Sequence, residues 1–429
     1  MRIKNNGIIV SLCFICIIIS IISCGNDNKL SNRSRRGALL SSEIINDEYA
    51  LNQYLTLRNE EILVNSIPQS LNPSPPEYSK SYAPIFASSR IDGVTLTLVA
   101  DIAAPVYNGR ALQATNIAGN SNYVFVSYNM AGDSFIGAVQ DIQLTNARNP
   151  RLISQVIYHN SDISAITTNG SREVILAMAT DIDANNQFSQ PALMGAIGLS
   201  SQFSFSDNKI FKQMPGYSAV SAEVFDDRIF IVSGDNSGLT VFNSDTYDSL
   251  AFIPIRDARD IAFYNNFIYV YAGTSGILYK INSANYQIID TCALNGSTKS
   301  QEKSSIVISG KFAFIAANDS GVQIFNLESN TIEAAISNPV SAGLNADSVV
   351  ANSVTVSGSY IFIANGEAGI RVFKNTNGTI NSTDSIAIEE KGYLVLGLSQ
   401  SANEIYRYRD YLVVASGIGG LKIIQISGL

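Results

Sequence analysis

Seven polar residues of this chain could form a shared chemical site. Each stands just before the apolar part of a predicted first strand, and they follow one another at an average interval of 48 positions: Asn116, Asp162, Glu223, Asp260, Ser305, Ser353 and Glu404. Carboxylates that converge on one channel could bind Ca²⁺, which takes several oxygen ligands, or raise one another's pKa enough to act as an acid or base. Alternatively, these side chains bond backbone groups between neighbouring elements or face water, because a register error of one residue turns a strand side chain away.

The stretch "DIDANNQ" offers a second candidate site. Asp181, Asp183 and Asn185 alternate as at the start of a calcium-binding loop. However, Asn186 and Ala192 stand where that loop requires Gly and a closing Glu. The stretch therefore also fits a solvated hairpin turn.

Residues suited to catalysis are few. His159 is the only histidine, on a predicted outer strand edge, and neither a phosphate-binding glycine loop nor an HExxH pair occurs. Cys292 is predicted to be a small buried strand residue. Arg407 and Arg409 in "YRYRD" could bind a carboxylate or a partner loop, or simply extend from an exposed strand. We therefore assign no catalytic and no metal-binding residue, and an enzyme is the less favoured interpretation.

The N-terminus predicts export. Arg2 and Lys4 precede an apolar run over residues 8–22, which is short for a membrane span and ends in "IISCGN". This pattern resembles the lipobox of bacterial lipoproteins, although isoleucines replace the more usual Leu and small residue. The resemblance implies a signal peptide over residues 1–23 and lipid attachment at Cys24. The alternative is an ordinary signal peptide in which Cys24 is one more apolar residue.

Net charge and cysteine content limit the possible binding partners and disulfide bonds. The chain carries a net charge of −8, and loss of residues 1–23 with their two basic residues makes it −10. An acidic protein repels phosphate backbones, so nucleic acid is not expected as a partner. Cys13 and Cys16 leave with the signal peptide and Cys24 takes the lipid, so Cys292 is left alone, and neither an internal disulfide nor a cysteine-based zinc site is expected.

Residues 24–90 are predicted to be a tether. Residues 25–37 are polar and aperiodic, and apolar residues over 39–63 recur at the spacing of an amphipathic helix. We expect this helix to pack on the following domain; the alternative is that it binds a partner. "IPQSLNPSPPEYSK" contains four prolines and predicts an extended linker. Removal of residues 25–80 is therefore expected to leave the following fold intact.

One strand pattern recurs from residue 91 to residue 429. Five copies align directly: "IFIVSGDNSGLTVFNSDT", "IYVYAGTSGILYKINSAN", "AFIAANDSGVQIFNLESN", "IFIANGEAGIRVFKNTNG" and "LVVASGIGGLKIIQISGL". Two looser copies precede them. The seven runs begin at Tyr123, Val174, Ile229, Ile268, Ala313, Ile361 and Leu412. Four strands per repeat predict an all-β, seven-bladed β-propeller of antiparallel blades.

These phrases resemble the LVIVD repeat and, less closely, the YVTN family of bacterial surface propellers. The shared elements are the aromatic-aliphatic strand, "SG" or "GG" at the turn, and third strands such as "GLTVFN" and "GVQIFN". "DIQLTNARNP" is similar to the Asp, hydrophobic, Asn-Pro passage of the LVIVD family. The resemblance implies the fold and says little about function.

The last copy has only three strands. "VTLTLVADI", residues 94–102, alternates and belongs to no other copy. We expect it to complete the last blade and close the ring, because a bare edge would expose unpaired backbone groups.

The expected function is that of a membrane-tethered module outside the cytoplasm that binds or scaffolds protein partners of the cell envelope. Gly25 after the lipid cysteine, rather than Asp, favours the outer membrane or cell surface by resemblance to enterobacterial sorting. The alternative is a calcium-dependent hydrolase or lactonase that uses the acidic residues of the channel; otherwise no cofactor is expected.

Overall fold

The computed structural model describes residues 40–62, 64–65, 77–79, 87–88, 90–91, 93–132, 134–184, 187–300, 302–342, 344–397 and 400–428. All of them belong to one compact unit that begins at Gly37. The predicted signal peptide, Cys24 and most of the proline-rich linker lie outside these residues.

The segment before the repeats contains short elements. These are β1 (Ser42–Ile45), α1 (Glu48–Leu51), a 3₁₀-helix (Asn52–Tyr54), β2 (Leu55–Glu61), β3 (Val64–Asn65), β4 (Glu77–Ser79), β5 (Ala87–Ser88), β6 (Arg90–Ile91), β7 (Val94–Ile102) and the hairpin β8 (Val106–Tyr107) and β9 (Arg110–Ala111).

Blades 1 to 4 each contain four consecutive antiparallel strands. Blade 1 is formed by β10 (Gln113–Asn120), β11 (Tyr123–Asn129), β12 (Gly137–Gln143) and β13 (Arg151–Tyr158). Blade 2 is formed by β14 (Ser161–Asn169), β15 (Glu173–Thr180), β16 (Ala192–Leu199) and β17 (Phe205–Gln213). Blade 3 is formed by β18 (Ala219–Phe225), β19 (Arg228–Ser233), β20 (Gly238–Asn243) and β21 (Ser249–Pro254). Blade 4 is formed by β22 (Ala258–Tyr264), β23 (Phe267–Ala272), β24 (Ile277–Asn282) and β25 (Ile288–Ala293).

The remaining blades follow the same order. Blade 5 is formed by β26 (Ser305–Ser309), β27 (Phe312–Ala316), β28 (Val322–Asn326) and β29 (Thr331–Ile336). After it come β30 (Val340–Ala342) and a 3₁₀-helix (Ala346–Ser348). Blade 6 is formed by β31 (Ser353–Ser357), β32 (Tyr360–Ala364), β33 (Ile370–Asn375) and β34 (Ile388–Leu394), with a 3₁₀-helix (Ile380–Ser382) before β34. Blade 7 is formed by β35 (Glu404–Tyr408), β36 (Tyr411–Ala415), β37 (Leu421–Ser427) and β7.

The predicted ring closure is confirmed. β7 pairs antiparallel with β37 from Ile102 opposite Leu421 to Thr95 opposite Ser427. Lys422 Nζ also bonds Asp101 Oδ1 at 2.7 Å across this joint. The chain therefore joins a strand at its N-terminal end to one at its C-terminal end within one blade.

The predicted helix over residues 39–63 is wrong. Within the described part of that range, residues 40–62, only Glu48–Leu51 is α-helical, and β1 and β2 are strands. β1 pairs with the outer strand of blade 1, β2 pairs with β7 in blade 7, and β3 pairs with β34 in blade 6. Leu40, Leu51 and Val64 are buried. The apolar residues that recur at helical spacing lie instead on two short strands and one helical turn. This part of the expected tether therefore belongs to the fold.

The hydrophobic core is divided among the interfaces between blades. Phe230 and Val241 of blade 3, for example, pack with Ile261 and Val270 of blade 4, all at most 2% exposed. Each blade buries both faces of its sheet because it lies between two neighbouring blades. This arrangement places the first strand of every blade around a central channel.

Candidate functional site

The inner strands enclose a cavity of about 520 Å³. All seven first strands contribute to its lining: β10, β14, β18, β22, β26, β31 and β35. Of the seven residues proposed from the sequence, Asn116, Glu223, Asp260, Ser305 and Glu404 line it.

Strand register decides which of these residues are equivalent. Five lie four positions inward from the first hairpin and face Ser127, Tyr271, Ala316, Ala364 and Ala415 of the second strands: Asn116, Asp260, Ser305, Ser353 and Glu404. In blades 2 and 3 the same position is held by Ala165 and Ser221. Asp162 lies three positions before it, and Glu223 two positions after it. A β-bulge precedes the position in blades 1 to 4 alike, so the bulge does not by itself explain the offsets in blades 2 and 3.

Asp260 joins three blades. Its Oδ1 accepts a hydrogen bond from Ser221 Oγ of blade 3 at 2.5 Å and from its own neighbour's N–H, Ile261, at 2.9 Å. Its Oδ2 accepts from the Ile306 N–H of blade 5 at 2.8 Å. These bonds favour the charged form, but burial outweighs them and raises the pKa of Asp260 to about 6.

Glu404 makes the corresponding contacts in blade 7. Its Oε1 accepts from Ser353 Oγ of blade 6 and from the Ile405 N–H at 3.2 Å. Its Oε2 accepts from Asn116 Nδ2 of blade 1 at 3.0 Å and from Lys303 Nζ. Asp260 and Glu404, at equivalent positions of their inner strands, thus each connect neighbouring blades through hydrogen bonds.

Lys303 was not singled out from the sequence. Its ammonium reaches from blade 5 to Glu404 of blade 7 and to the Thr115 carbonyl of blade 1, at 2.8 Å from the latter. The side chain therefore crosses the channel. A lysine two residues before an inner strand was the available signal, but the partner lies 101 residues away.

Glu223 differs from the other carboxyl groups of the channel. It lines the cavity but makes no hydrogen bond within the described part of the chain. Burial and the nearby charge of Asp260 raise the pKa of Glu223 to about 8. Asp162, which does not line the cavity, accepts from the Ile136 N–H at 3.1 Å, and burial raises its pKa to about 7.

The weaker candidates occupy structural positions. Asp181 Oδ1 accepts from the N–H groups of Asp183 and Ala184, so this end of "DIDANNQ" forms a turn, whereas Asn185 lies outside the described residues. His159 follows β13, and its N–H donates to the Ser41 carbonyl at 3.1 Å. Arg409 bonds the Ser121 carbonyl of blade 1.

The last two candidates are Cys292, which differs from the expectation, and Arg407, which is exposed. Cys292 is half-buried on the outer strand of blade 4 rather than buried. Arg407 lines the cavity with an exposed side chain, and its Nε donates to the Arg409 carbonyl at 3.1 Å.

The outer surface of blades 3 to 5 exposes large apolar side chains. Each is 42–50% exposed on an outer strand: Leu250, Phe252, Ile288, Ile289 and Ile332. We call these five residues the apolar perimeter. The outer strands of blades 1, 6 and 7 are instead covered by β1, β3 and β2.

Within the described residues, no group of three or more His, Cys, Asp or Glu side chains is placed to hold a metal ion. No helix in this part of the chain has the length and apolar character needed to span a membrane.

Comparison with known proteins supports the assignment of a repeated sequence unit. Residues 302–344 and 350–372, in blades 5 and 6, match the LVIVD repeat family model. No curated protein matches the chain. Solved structures similar to it include the WD40 β-propeller domain of Doa1, with 11% identity, a TM-score of 0.49, and coverage of 75% of this chain and 96% of that one. Another is the computationally designed Ika8 protein, with 10% identity, a TM-score of 0.43, and coverage of 75% and 98%.

Proposed function

We propose that this seven-bladed LVIVD-type propeller is a binding or scaffolding module for protein partners, held to a bacterial membrane outside the cytoplasm through lipid on Cys24. The observation that carries the binding role is the apolar perimeter. Soluble proteins seldom leave large apolar side chains grouped on one surface unless a partner covers them.

The contrast between blades strengthens this argument. The chain covers the outer edges of blades 1, 6 and 7 with its own strands. The outer strand of blade 2 remains uncovered but carries Asp207, Lys209 and Lys212, which suit water. The outer strand of blade 3, "SLAFIP", has no charged residue. Among the described fourth strands of the blades, only those of blades 3 to 5 expose large apolar side chains, although single apolar residues such as Leu57 of β2 are exposed elsewhere.

Two features indicate contact through side chains rather than by strand addition. Pro254 at the end of β21 has no N–H to offer a partner strand. In blade 4, the Thr291 N–H is already bonded to Asp290 Oδ1 at 2.8 Å. Natural proteins use such residues to prevent pairing of exposed strand edges.

The binding role is tested by photo-crosslinking in the native cell. A photoreactive phenylalanine derivative replaces Ile289 or Phe252 of the full chain, and Asn208 on blade 2 is the matched exposed control. We expect the same partner protein to be crosslinked from positions 289 and 252 and not from 208. Equal crosslinking from all three positions, or none, would contradict the proposal.

The anchor is tested separately. Mass spectrometry of the mature N-terminus should find acyl chains on Cys24, and Cys24→Ser should release the protein from the membrane fraction. Several acyl chains provide durable anchoring, since each buried CH₂ contributes about 0.8 kcal/mol. An unmodified N-terminus elsewhere would remove the anchor from the proposal without affecting the binding role.

The alternative, a calcium-dependent hydrolase or lactonase, has less support. Asp260 and Glu404 are engaged between blades, and a calcium ion needs more oxygen ligands than Glu223 supplies. Millimolar calcium is therefore expected to leave the melting temperature unchanged. A calcium-induced rise that Glu223→Ala abolishes would favour the alternative.

A further inference from the structure

Residues 46–57, which we call the crossing segment, pass over the outside of the joint between blades 7 and 1. They lead from β1, on the outer strand of blade 1, into β2, which pairs with β7 of blade 7. Leu51 in this segment is 1% exposed. Asn52 Nδ2 donates to the Leu152 carbonyl, and Asn52 Oδ1 accepts from the Leu152 N–H, both at 3.1 Å. The inner side of the crossing segment is therefore fixed to blade 1.

The outer side of the crossing segment exposes large side chains. Tyr49 is 84% exposed, more than any other large apolar or aromatic side chain of the described residues. Tyr54 and Leu57 are 42% and 50% exposed. A tyrosine combines an apolar ring with a polar hydroxyl, and such side chains are typical of the boundary between a bilayer and water. A lipid surface therefore suits these three residues.

The charges around the crossing segment indicate which lipid it suits. Glu48 pairs with Arg151, and Arg58 pairs with Asp101. Four further carboxylate residues are exposed: Glu43, Asp47, Glu60 and Glu61. This excess of negative charge would be repelled by anionic headgroups. A zwitterionic bilayer, contacted through the aromatic rings, fits the surface better.

The length of the chain before the described residues limits how far the propeller lies from an anchor at Cys24. Sixteen residue steps separate Cys24 from Leu40. An extended chain covers at most about 3.3–3.6 Å per residue, so Leu40 lies within roughly 55 Å of such an anchor. β1 begins two residues later, which makes the outer side of blade 1 the tethered side. In a ring of seven blades, blade 4 is the farthest from the joint of blades 7 and 1.

We propose that the crossing segment rests on the surface of a zwitterionic bilayer, with the side chains of Tyr49, Tyr54 and Leu57 in the headgroup boundary. This inference rests on the lipid anchor of the proposed function and adds an orientation to it. The joint of blades 7 and 1 faces the membrane, and the apolar perimeter on blades 3 to 5 faces away from it. The partner surface is then accessible to proteins in the surrounding aqueous compartment.

Tryptophan fluorescence tests the orientation, because the chain contains no tryptophan. Tyr49→Trp is introduced into the full mature lipidated chain, which is reconstituted into phosphatidylcholine vesicles whose acyl chains carry bromine, a quencher. Ile289→Trp on blade 4, where the native side chain is 50% exposed, is the control. A side chain that enters the headgroup boundary by about 5–10 Å approaches the bromine atoms, so Tyr49→Trp should lose about half of its emission relative to unbrominated vesicles. Ile289→Trp should lose almost none.

Sedimentation of the vesicles, measured on the same samples, separates this inference from the anchor. An unquenched Tyr49→Trp in protein that sediments would overturn the inference, because the tether would then hold the propeller clear of the bilayer. Equal quenching at both positions would overturn the orientation. Protein that stays in the supernatant would contradict the anchor itself and, with it, this inference.

A second set of variants tests whether the tyrosines make the contact. Leu57→Trp should be quenched as Tyr49→Trp is, and the addition of Tyr49→Ser and Tyr54→Ser should remove at least about half of that quenching. Both tyrosine side chains are exposed, so the triple variant should melt close to the temperature of Leu57→Trp alone. Unchanged quenching in the folded triple variant would show that the tyrosines do not hold the segment on the bilayer, and the proposal would fail.

Discussion

At the scale of single residues, Asp141 is the strongest departure from ordinary burial. Its side chain is fully buried in β12, and neither carboxyl oxygen has a hydrogen-bond partner among the described residues. Burial raises the pKa of Asp141 well above its usual value. The equivalent position is apolar in blades 3 and 5, as Val241 and Ile324 show, whereas blade 4 has Lys280 there.

Asp141→Val should therefore stabilise the protein at pH 8, by at least about 1–3 kcal/mol. Below about pH 4 both the folded and the unfolded states hold the proton, so the wild type has no ionisation penalty there. As pH rises, the unfolded state releases its proton first, and the free energy of unfolding falls by about 1.4 kcal/mol per pH unit until the folded group also ionises.

Urea unfolding between pH 4 and pH 8 measures this difference. The advantage of the variant should grow with pH. Asp141→Asn, which keeps the shape but is neutral, should show the same trend with a smaller gain. A variant that is less stable than the wild type at every pH would show that Asp141 has a stabilising role not visible in its contacts.

The sequence predicted the types of the channel residues better than their positions. Asp260 and Glu404 were found because they directly precede apolar residues of an inner strand. Asp162 and Glu223 were assigned to the same ring, but pairing with the second strands places them three positions before and two positions after the equivalent residues Ala165 and Ser221. Alternation alone does not fix which residue of an inner strand pairs with which residue of the next strand.

At the scale of elements, the glycines between the second and third strands are required for a physical reason. A Cβ at Gly321, Gly369 or Gly420 would lie 2.1–2.2 Å from a carbonyl oxygen of the outermost strand of its blade. The φ angles of these three residues are also positive. The repeat pattern shows a glycine at this turn, whereas the carbonyl group that each glycine approaches had to come from the structure.

Gly420→Ala should be strongly destabilising. Its φ is +71°, and the new Cβ would meet the Ile102 carbonyl at 2.1 Å, which forces β37 away from β7. Gly358→Ala is the control, because its φ is +61° but nothing lies within 4 Å of the added atom. The control should lose about 1–2 kcal/mol from backbone strain alone, and Gly420→Ala at least about 2 kcal/mol more.

Thermal unfolding of the two variants gives this comparison. Equal losses would mean that the joint between β37 and β7 relaxes without cost. A larger loss at Gly420 would show that the final pairing of blade 7 stabilises the ring.

At the scale of the whole molecule, the N-terminal segment has a different role from the one predicted. The propeller, its seven repeats and its closure could be predicted from periodicity, because seven copies of one strand pattern support one another where a single copy fits more than one structure. Residues 40–65 occur once, so no repeat supports their assignment. Their amphipathic spacing suited a helix as well as strands that cover blade edges.

Removing residues 1–65 should lower the stability of the propeller, whereas removing residues 1–39 should have little effect. The longer deletion uncovers the edges of β13, β7 and β34 and loses the buried side chains of Leu40, Leu51 and Val64. Burial of such side chains contributes about 1.5–3 kcal/mol each.

Differential scanning calorimetry of both deletion variants is the measurement, with the mature full chain as reference. If the two variants melt at the same temperature, the covering strands contribute nothing, and the expectation that residues 25–80 are dispensable would be restored.

The joint between β7 and β37 also sets the order of events while the chain is being made. Asp101 and Lys422, which meet across it, are 321 residues apart. At roughly 5–20 residues per second, β7 waits on the order of 15–60 seconds after its synthesis for β37 to emerge. β2, made earlier, is available throughout to occupy one edge of β7. The ring consequently stays open until its last strand has been translated. During that interval β7 can pair with β2 along one edge, while the edge that later pairs with β37 has no partner.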